Sequence, residues 1–212
     1  MTSCCEDKSD VIERLHGRQS RTLKIVLTIN VALFAAELTA GLMSGSTALM
    51  GDSLDNLGDA LAYGLSLYAV GRDGGVKARV AIFKAAMIFI AGVFVLTQVL
   101  IRAAAPSMPV FETMGIMSAI AMLANGTCLL LLTRYRDDDV NMRSVWECSR
   151  NDIASNASVL VAGLGVWLTS SAWPDLAVGL ALAALFLYSS GTIFRDALRA
   201  LKIAEGTGSN LK

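Results

Sequence analysis

Acidic side chains and one cysteine interrupt two apolar segments of this 212-residue chain at helical spacing. Asp55 and Asp59 are four residues apart, and Asp52 precedes them by three, so a helix would place all three carboxylates on one stripe. Carboxylates this close repel each other unless a cation or protons neutralise them. Cys148 and Asp152 repeat the four-residue spacing in a later segment.

If the two segments form helices that face each other, Asp55, Asp59, Cys148 and Asp152 would supply three carboxylates and one thiolate. Four such ligands can surround a divalent metal ion in roughly tetrahedral geometry, which suits Zn²⁺. The thiolate also suits softer ions such as Cd²⁺. The sequence therefore predicts a metal site formed by two helices.

Each half of this pattern has another interpretation. The three aspartates of the first segment could lie in a solvated helix end, although the apolar run begins before them, at Thr47. Asp152 could pair with Arg150 or Arg143, and Cys148 could be a small apolar packing residue. The matched spacing on two segments favours the metal site over these separate explanations.

The elements that would position these residues are transmembrane helices. Hydrophobic residues make up 54 % of the chain and charged residues 17 %, whereas an average soluble domain is about a quarter charged. A membrane-spanning helix needs about 20 largely apolar residues. Six segments meet this requirement, roughly 25–43, 48–70, 80–101, 113–133, 148–170 and 176–194.

The sequence thus predicts an all-α polytopic membrane protein with six transmembrane helices. We expect an amino-terminal tail over 1–23, a six-helix transmembrane domain over 24–195 and a short tail over 196–212. A tight turn is expected at 173–175, before the sixth helix. The net charge is zero and there is no domain-wide basic face, so nothing indicates nucleic-acid binding.

The basic residues predict the orientation. With six spans, 17 of the 18 Lys and Arg residues fall on one side, and only Arg102 falls on the other. Loops rich in Lys and Arg remain in the cytoplasm. Both termini are therefore expected to be cytoplasmic.

Several polar residues are accessory candidates. Asn30 and Glu37 in the first helix and Asn156 in the fifth could line an ion path or form a buried polar network, and Asp52 could be a ligand, a proton relay or a helix-end residue. In the amino-terminal tail, the adjacent pair Cys4 and Cys5 could bind or hand over a soft metal ion, or belong to a disordered tail.

Taken together, these motifs resemble those of the cation diffusion facilitator family. In that family the second helix supplies a His or Asp and a second Asp four residues later, and the fifth helix supplies a His and an Asp with the same spacing. The resemblance covers residues 24 to 200. It rests on Gly45-Ser46-Thr47-Ala48-Leu49, Asp52, Asp55-x3-Asp59, Cys148-x3-Asp152, Asn156, the run 159–163, Asn30, Glu37, Asn125 and Trp173-Pro174-Asp175.

The resemblance implies six helices with cytoplasmic ends, which matches the count from charge. It also implies export of Zn²⁺ or related divalent ions from the cytoplasm, driven by proton exchange, usually by a homodimer. For this chain it implies a transporter rather than an enzyme, in a bacterial inner membrane, with no cofactor beyond the transported metal.

Two departures from the family pattern affect these expectations. About 18 residues follow the sixth segment, so we expect a short form that lacks the cytoplasmic carboxy-terminal domain. Cys148 stands where a histidine is usual, which predicts a preference for softer ions such as Cd²⁺ or Hg²⁺.

Two other functions stay open at this point. One is an intramembrane metalloenzyme in which the metal activates water, although the chain has neither an HExxH motif nor a nucleophile paired with histidine. The other is a membrane metal sensor or a subunit that works only with a partner.

Overall fold

The structure is a computed structural model that describes residues 3–69, 74–105, 107–135 and 140–209. Side chains are described for 21–61, 64, 79, 81–105, 107–135, 146, 149–199 and 201. These residues contain six helices and no strand: α1 (Ser3–Ser44), α2 (Thr47–Ala69), α3 (Gly74–Ala104), α4 (Phe111–Thr133), α5 (Val140–Thr169) and α6 (Trp173–Ser209). The predicted all-α architecture with six helices is confirmed.

Five helices contain a described stretch that is long and apolar enough to cross a membrane: Arg21–Ser44, Ala81–Ala104, Phe111–Thr133, Ser149–Thr169 and Trp173–Arg199. The remaining helix, α2, has 23 residues, but three aspartates lie among its first 13. Large apolar side chains such as Phe89, Leu123 and Leu168 are exposed on the outside of the bundle. A helical bundle with an apolar exterior of this kind is an integral membrane protein.

Several helices extend beyond the predicted spans. α1 begins at Ser3 and α6 continues to Ser209, so most residues of both predicted tails continue a transmembrane helix. α3 and α5 begin within the segments that we predicted to be loops. Hydropathy detects only the part of a helix that contacts lipid, whereas charged residues with high helix propensity continue the same helix into water.

The predicted tight turn at 173–175 is wrong, because these residues form the first turn of α6. Pro174 fits there because the first N–H groups of a helix have no intrahelical partner, so proline loses nothing. The chain reverses just before, where Ser170 has a φ of 48°.

Helix α2 lies at the centre of the bundle. The most extensive helix pairs are α3 with α6, α4 with α5 and α1 with α2, and α2 also contacts α3, α5 and α6. Glycines permit close approach on one side: a Cβ added at Gly51 would lie 2.9 Å from Leu182, and one at Gly179 would lie 2.5 Å from the hydroxyl of Thr47. Helix α2, which carries three aspartates and no Lys or Arg, is therefore packed against four other helices.

Candidate metal centre

The acidic stripe of α2 points into the bundle. Asp52 is 1 % exposed, and Asp55 and Asp59 are partly buried. Their spacing places them on successive turns of one side of the helix, as the sequence predicts. Ionised groups in a membrane interior are costly, so their burial requires a neutralising partner.

Helix α5 lies against this stripe. The hydroxyl of Ser155 donates a hydrogen bond of 2.6 Å to Oδ1 of Asp52. Three residues earlier on α5, Asp152 is 4 % exposed, and its carboxyl group is in side-chain hydrogen-bond contact with that of Asp59. Asp152 also interacts electrostatically with Asp52 and Asp55. The structure thus brings three of the four predicted ligands, Asp55, Asp59 and Asp152, into one region.

The fourth predicted ligand, Cys148, belongs to α5, but its side chain lies outside the described residues, as do those of Cys4 and Cys5 in α1. Among the side chains that are described, no three from His, Cys, Asp and Glu are close enough together to hold a metal ion. Cys128 on α4 is fully buried in an apolar cluster with Val26 and Leu132.

A second group of polar side chains joins α1 to α2. Glu37 is fully buried, and its Oε2 accepts a hydrogen bond of 2.7 Å from Nδ2 of Asn56. The Glu37 carboxyl group also lies beside that of Asp52. Because Asp52 is bonded to Ser155, this network spans α1, α2 and α5.

Asn30 and Asn156 are completely buried and bond back to their own helices. Their Nδ2 atoms donate to the carbonyl oxygens of Val26 at 2.9 Å and Asp152 at 2.7 Å. This leaves the amide oxygen of each side chain available as an acceptor.

Among the described residues, buried oxygen atoms without a hydrogen-bond partner occur on α1, α2, α4 and α5. Within the described residues, the following oxygens lack a hydrogen-bond partner: Oε1 of Glu37, Oδ2 of Asp52 and Asp152, Oδ1 of Asn30, Asn56, Asn125 and Asn156, and Oγ of Ser118 and Ser149. Leaving one such group unsatisfied costs about 1–3 kcal/mol. A cation or protons would satisfy several of these acceptors at once.

Among the described side chains, no positive charge lies against the two central carboxylates, Asp52 and Asp152. Within the described part of the chain, no Lys or Arg contacts Asp52 or Asp152. The ion pair between Arg199 and Asp196 is exposed and lies elsewhere on α6. The proposed pairing of Asp152 with Arg150 is therefore not observed, and Arg150 lies over the ring of Trp146 instead.

Another buried carboxylate, Asp175, has a different role, which the sequence analysis did not identify. Its two oxygens accept hydrogen bonds from the backbone N–H groups of Thr47 at 2.8 Å and Ala48 at 3.1 Å. They also accept from the hydroxyls of Ser46 at 2.6 Å and Thr47 at 2.9 Å. Asp175 therefore caps the amino terminus of α2 from the first turn of α6. A helix amino terminus, with its free N–H groups and positive dipole end, favours such an anion.

The fold and this interior define a class of protein: a polytopic helical membrane protein with a group of buried carboxyl groups inside its bundle. Residues 23–73 and 74–202 match the family described as Cation efflux transmembrane domain. The chain belongs to this family.

Two curated relatives are similar over the same region. One is the metal cation efflux system protein CzcD of Cupriavidus metallidurans, and the other is the cation efflux system protein CzcD of an Alcaligenes species. Each is 23 % identical over 199 residues, which cover 87 % of this chain and 62 % of the relative. The chain therefore matches about three fifths of the length of these proteins.

Proposed function

We propose that this chain exports divalent metal cations from the cytoplasm in exchange for protons, with the metal bound between α2 and α5 by Asp55, Asp59, Cys148 and Asp152. The observation that carries this proposal is the burial of Asp152 beside the acidic stripe of α2, with no Lys or Arg in contact among the described residues.

Charge is the main support for a cationic substrate. Removing one partner from a buried ion pair costs about 3–5 kcal/mol because an uncompensated charge remains. Here several carboxylates share one region, and no described Lys or Arg contacts Asp52 or Asp152, so the site favours species that bring positive charge with them. Divalent metal ions and protons both do so, and they compete for the same oxygens.

The chemistry of the ligands supports a choice among metals. Three carboxylates with one thiolate suit Zn²⁺, and the thiolate raises the relative affinity for Cd²⁺ and Hg²⁺. The names of the two relatives, which describe metal cation efflux, agree with a metal substrate.

The transport cycle follows from competition for the ligands. In a state open to the cytoplasm, deprotonated ligands take up the ion. After the helices rearrange to open the site to the other side, protons bind to the same groups and release it. The distribution of Lys and Arg supports cytoplasmic termini in a bacterial inner membrane. We further propose that two copies associate through the membrane domain.

The test is metal uptake into proteoliposomes with an imposed pH gradient, comparing Zn²⁺, Cd²⁺ and Hg²⁺. The wild-type chain should show flux that depends on the gradient, and Asp152→Asn should abolish it. Asp196→Asn is the matched control, because that carboxylate is on α6 with 67 % of its side chain exposed.

Wild-type flux in folded Asp152→Asn protein would remove Asp152 from the site. If folded wild-type protein transported none of the three ions, the proposal would be wrong. A metal sensor or a partner-dependent subunit would then be the better explanation.

A further inference from the structure

Glu37 and Asp52 form a pair of buried carboxyl groups that the proposed ligand set does not include. They come from α1 and α2, are 0 % and 1 % exposed, and lie beside each other. Asn56 donates to Glu37 at 2.7 Å, and Ser155 donates to Asp52 at 2.6 Å. Each carboxyl group therefore has one oxygen held by a neutral donor.

The other two oxygens of the pair, Oε1 of Glu37 and Oδ2 of Asp52, have no hydrogen-bond partner among the described residues. The charged groups that interact with the pair are also acidic: Asp55 from α2 and Asp152 from α5. Two ionised carboxylates side by side would add repulsion to the cost of burial. A single shared proton relieves this repulsion and gives both free oxygens a partner.

Residue spacing on α2 and α5 locates the Glu37–Asp52 pair relative to the proposed metal ligands. Asp52 precedes Asp55 by three residues on α2, and Ser155 follows Asp152 by three residues on α5. The two helices are antiparallel. Asp52 and Ser155 are therefore displaced from Asp55 and Asp152 in the same direction along the bundle axis, by about 4.5 Å. With the proposed orientation, the pair lies on the outer side of the metal ligands.

We propose that the Glu37–Asp52 pair holds a proton that is exchanged for the metal ion, at a site separate from the metal ligands. This inference rests on the proposed antiport. When a divalent ion binds one helical turn away, its positive charge favours loss of the shared proton, which passes to the cytoplasm. When the site opens outward, a proton from outside returns to the pair, and the metal ion leaves.

The test measures protons released per metal ion bound, with purified full-length protein in weakly buffered detergent and a pH-sensitive dye. Glu37→Gln keeps the shape of the side chain and removes its exchangeable proton. We expect release to fall by about one proton per metal ion, while Cd²⁺ affinity measured by calorimetry changes by less than about threefold. Asp196→Asn, an exposed carboxylate on α6, should match wild type.

In proteoliposomes, Glu37→Gln should still exchange Cd²⁺ for Cd²⁺ across the membrane, but a pH gradient should accelerate its Cd²⁺ flux less than that of wild type. Unchanged proton release, or full acceleration by the gradient, would overturn the proposal. Loss of Cd²⁺ binding by folded Glu37→Gln protein would also overturn it, because Glu37 would then belong to the metal site.

A measurement on unmodified protein covers the case in which Glu37→Gln does not fold. Infrared difference spectra of wild type should show that a protonated carboxyl band disappears when Cd²⁺ is added, and Asp52→Asn should lack this band. A metal-free protein without such a band would overturn the proton site. If wild-type protein showed the band but transported no metal ion, the proposed function would be overturned, whereas the protonated pair would still be observed.

Discussion

Replacing Asp175 by alanine should destabilise the amino-terminal end of α2, and the structure gives the magnitude. The substitution removes four hydrogen bonds of 2.6–3.1 Å. It leaves the N–H groups of Thr47 and Ala48 without their partner in a buried position. Each of the two buried N–H groups left unsatisfied costs about 1–3 kcal/mol, a cost that includes the loss of the helix cap, so the substitution should cost about 2–6 kcal/mol.

The assay is thermal unfolding of purified protein in detergent, followed by tryptophan fluorescence. For a protein of this size, 1 kcal/mol corresponds to about 2–4 °C, so Asp175→Ala should lower the Tm by about 4–24 °C. Asp196→Ala is the matched control on α6, where the side chain is 67 % exposed, and should shift the Tm by less than about 2 °C. A shift for Asp175→Ala as small as that of the control would refute the capping role.

Two further predictions concern helix packing and ion choice. Gly179→Ala would place a Cβ 2.5 Å from the hydroxyl of Thr47 and should cost about 1–3 kcal/mol, whereas Gly191→Ala on the same helix has nothing within 4 Å and should be neutral or slightly stabilising. Thermal unfolding checks this pair, and equal shifts would contradict the close approach of α2 and α6. Cys148→Ser replaces the soft ligand and should lower the ratio of Cd²⁺ to Zn²⁺ flux by roughly tenfold, or about 1.4 kcal/mol. An unchanged ratio in proteoliposomes would exclude Cys148 from the ligand set.

The number and type of the helices could be predicted because a lipid-facing helix must be apolar for about 20 residues. α4 shows this best: the predicted segment 113–133 and the observed helix Phe111–Thr133 differ only at one end. Helix ends in water carry no such signal. The sequence therefore did not predict the extension of α6 to Ser209, and it predicted a turn at 173–175, where Trp173 begins the helix.

Contacts within one helix could also be predicted, but contacts between helices could not. The common stripe of Asp52, Asp55 and Asp59 follows from helical spacing alone. The bond from Ser155 to Asp52 joins residues 103 positions apart, and the bond from Thr47 to Asp175 joins residues 128 apart. No local pattern encodes such partners, so the sequence did not distinguish a capping carboxylate from those beside the proposed ion path.

The cap formed by Asp175 also fixes the amino-terminal end of α2, so the helix can tilt about this end. With one end of the helix fixed to α6, a tilt moves each residue in proportion to its distance from Thr47. Asp52 is about 7.5 Å from this point along the axis and Asp59 is about 18 Å away, so a tilt of about 10° would displace them by about 1.3 Å and 3 Å. A tilt of this kind would move Asp59 relative to Asp152 more than twice as far as it moves Asp52 relative to Ser155.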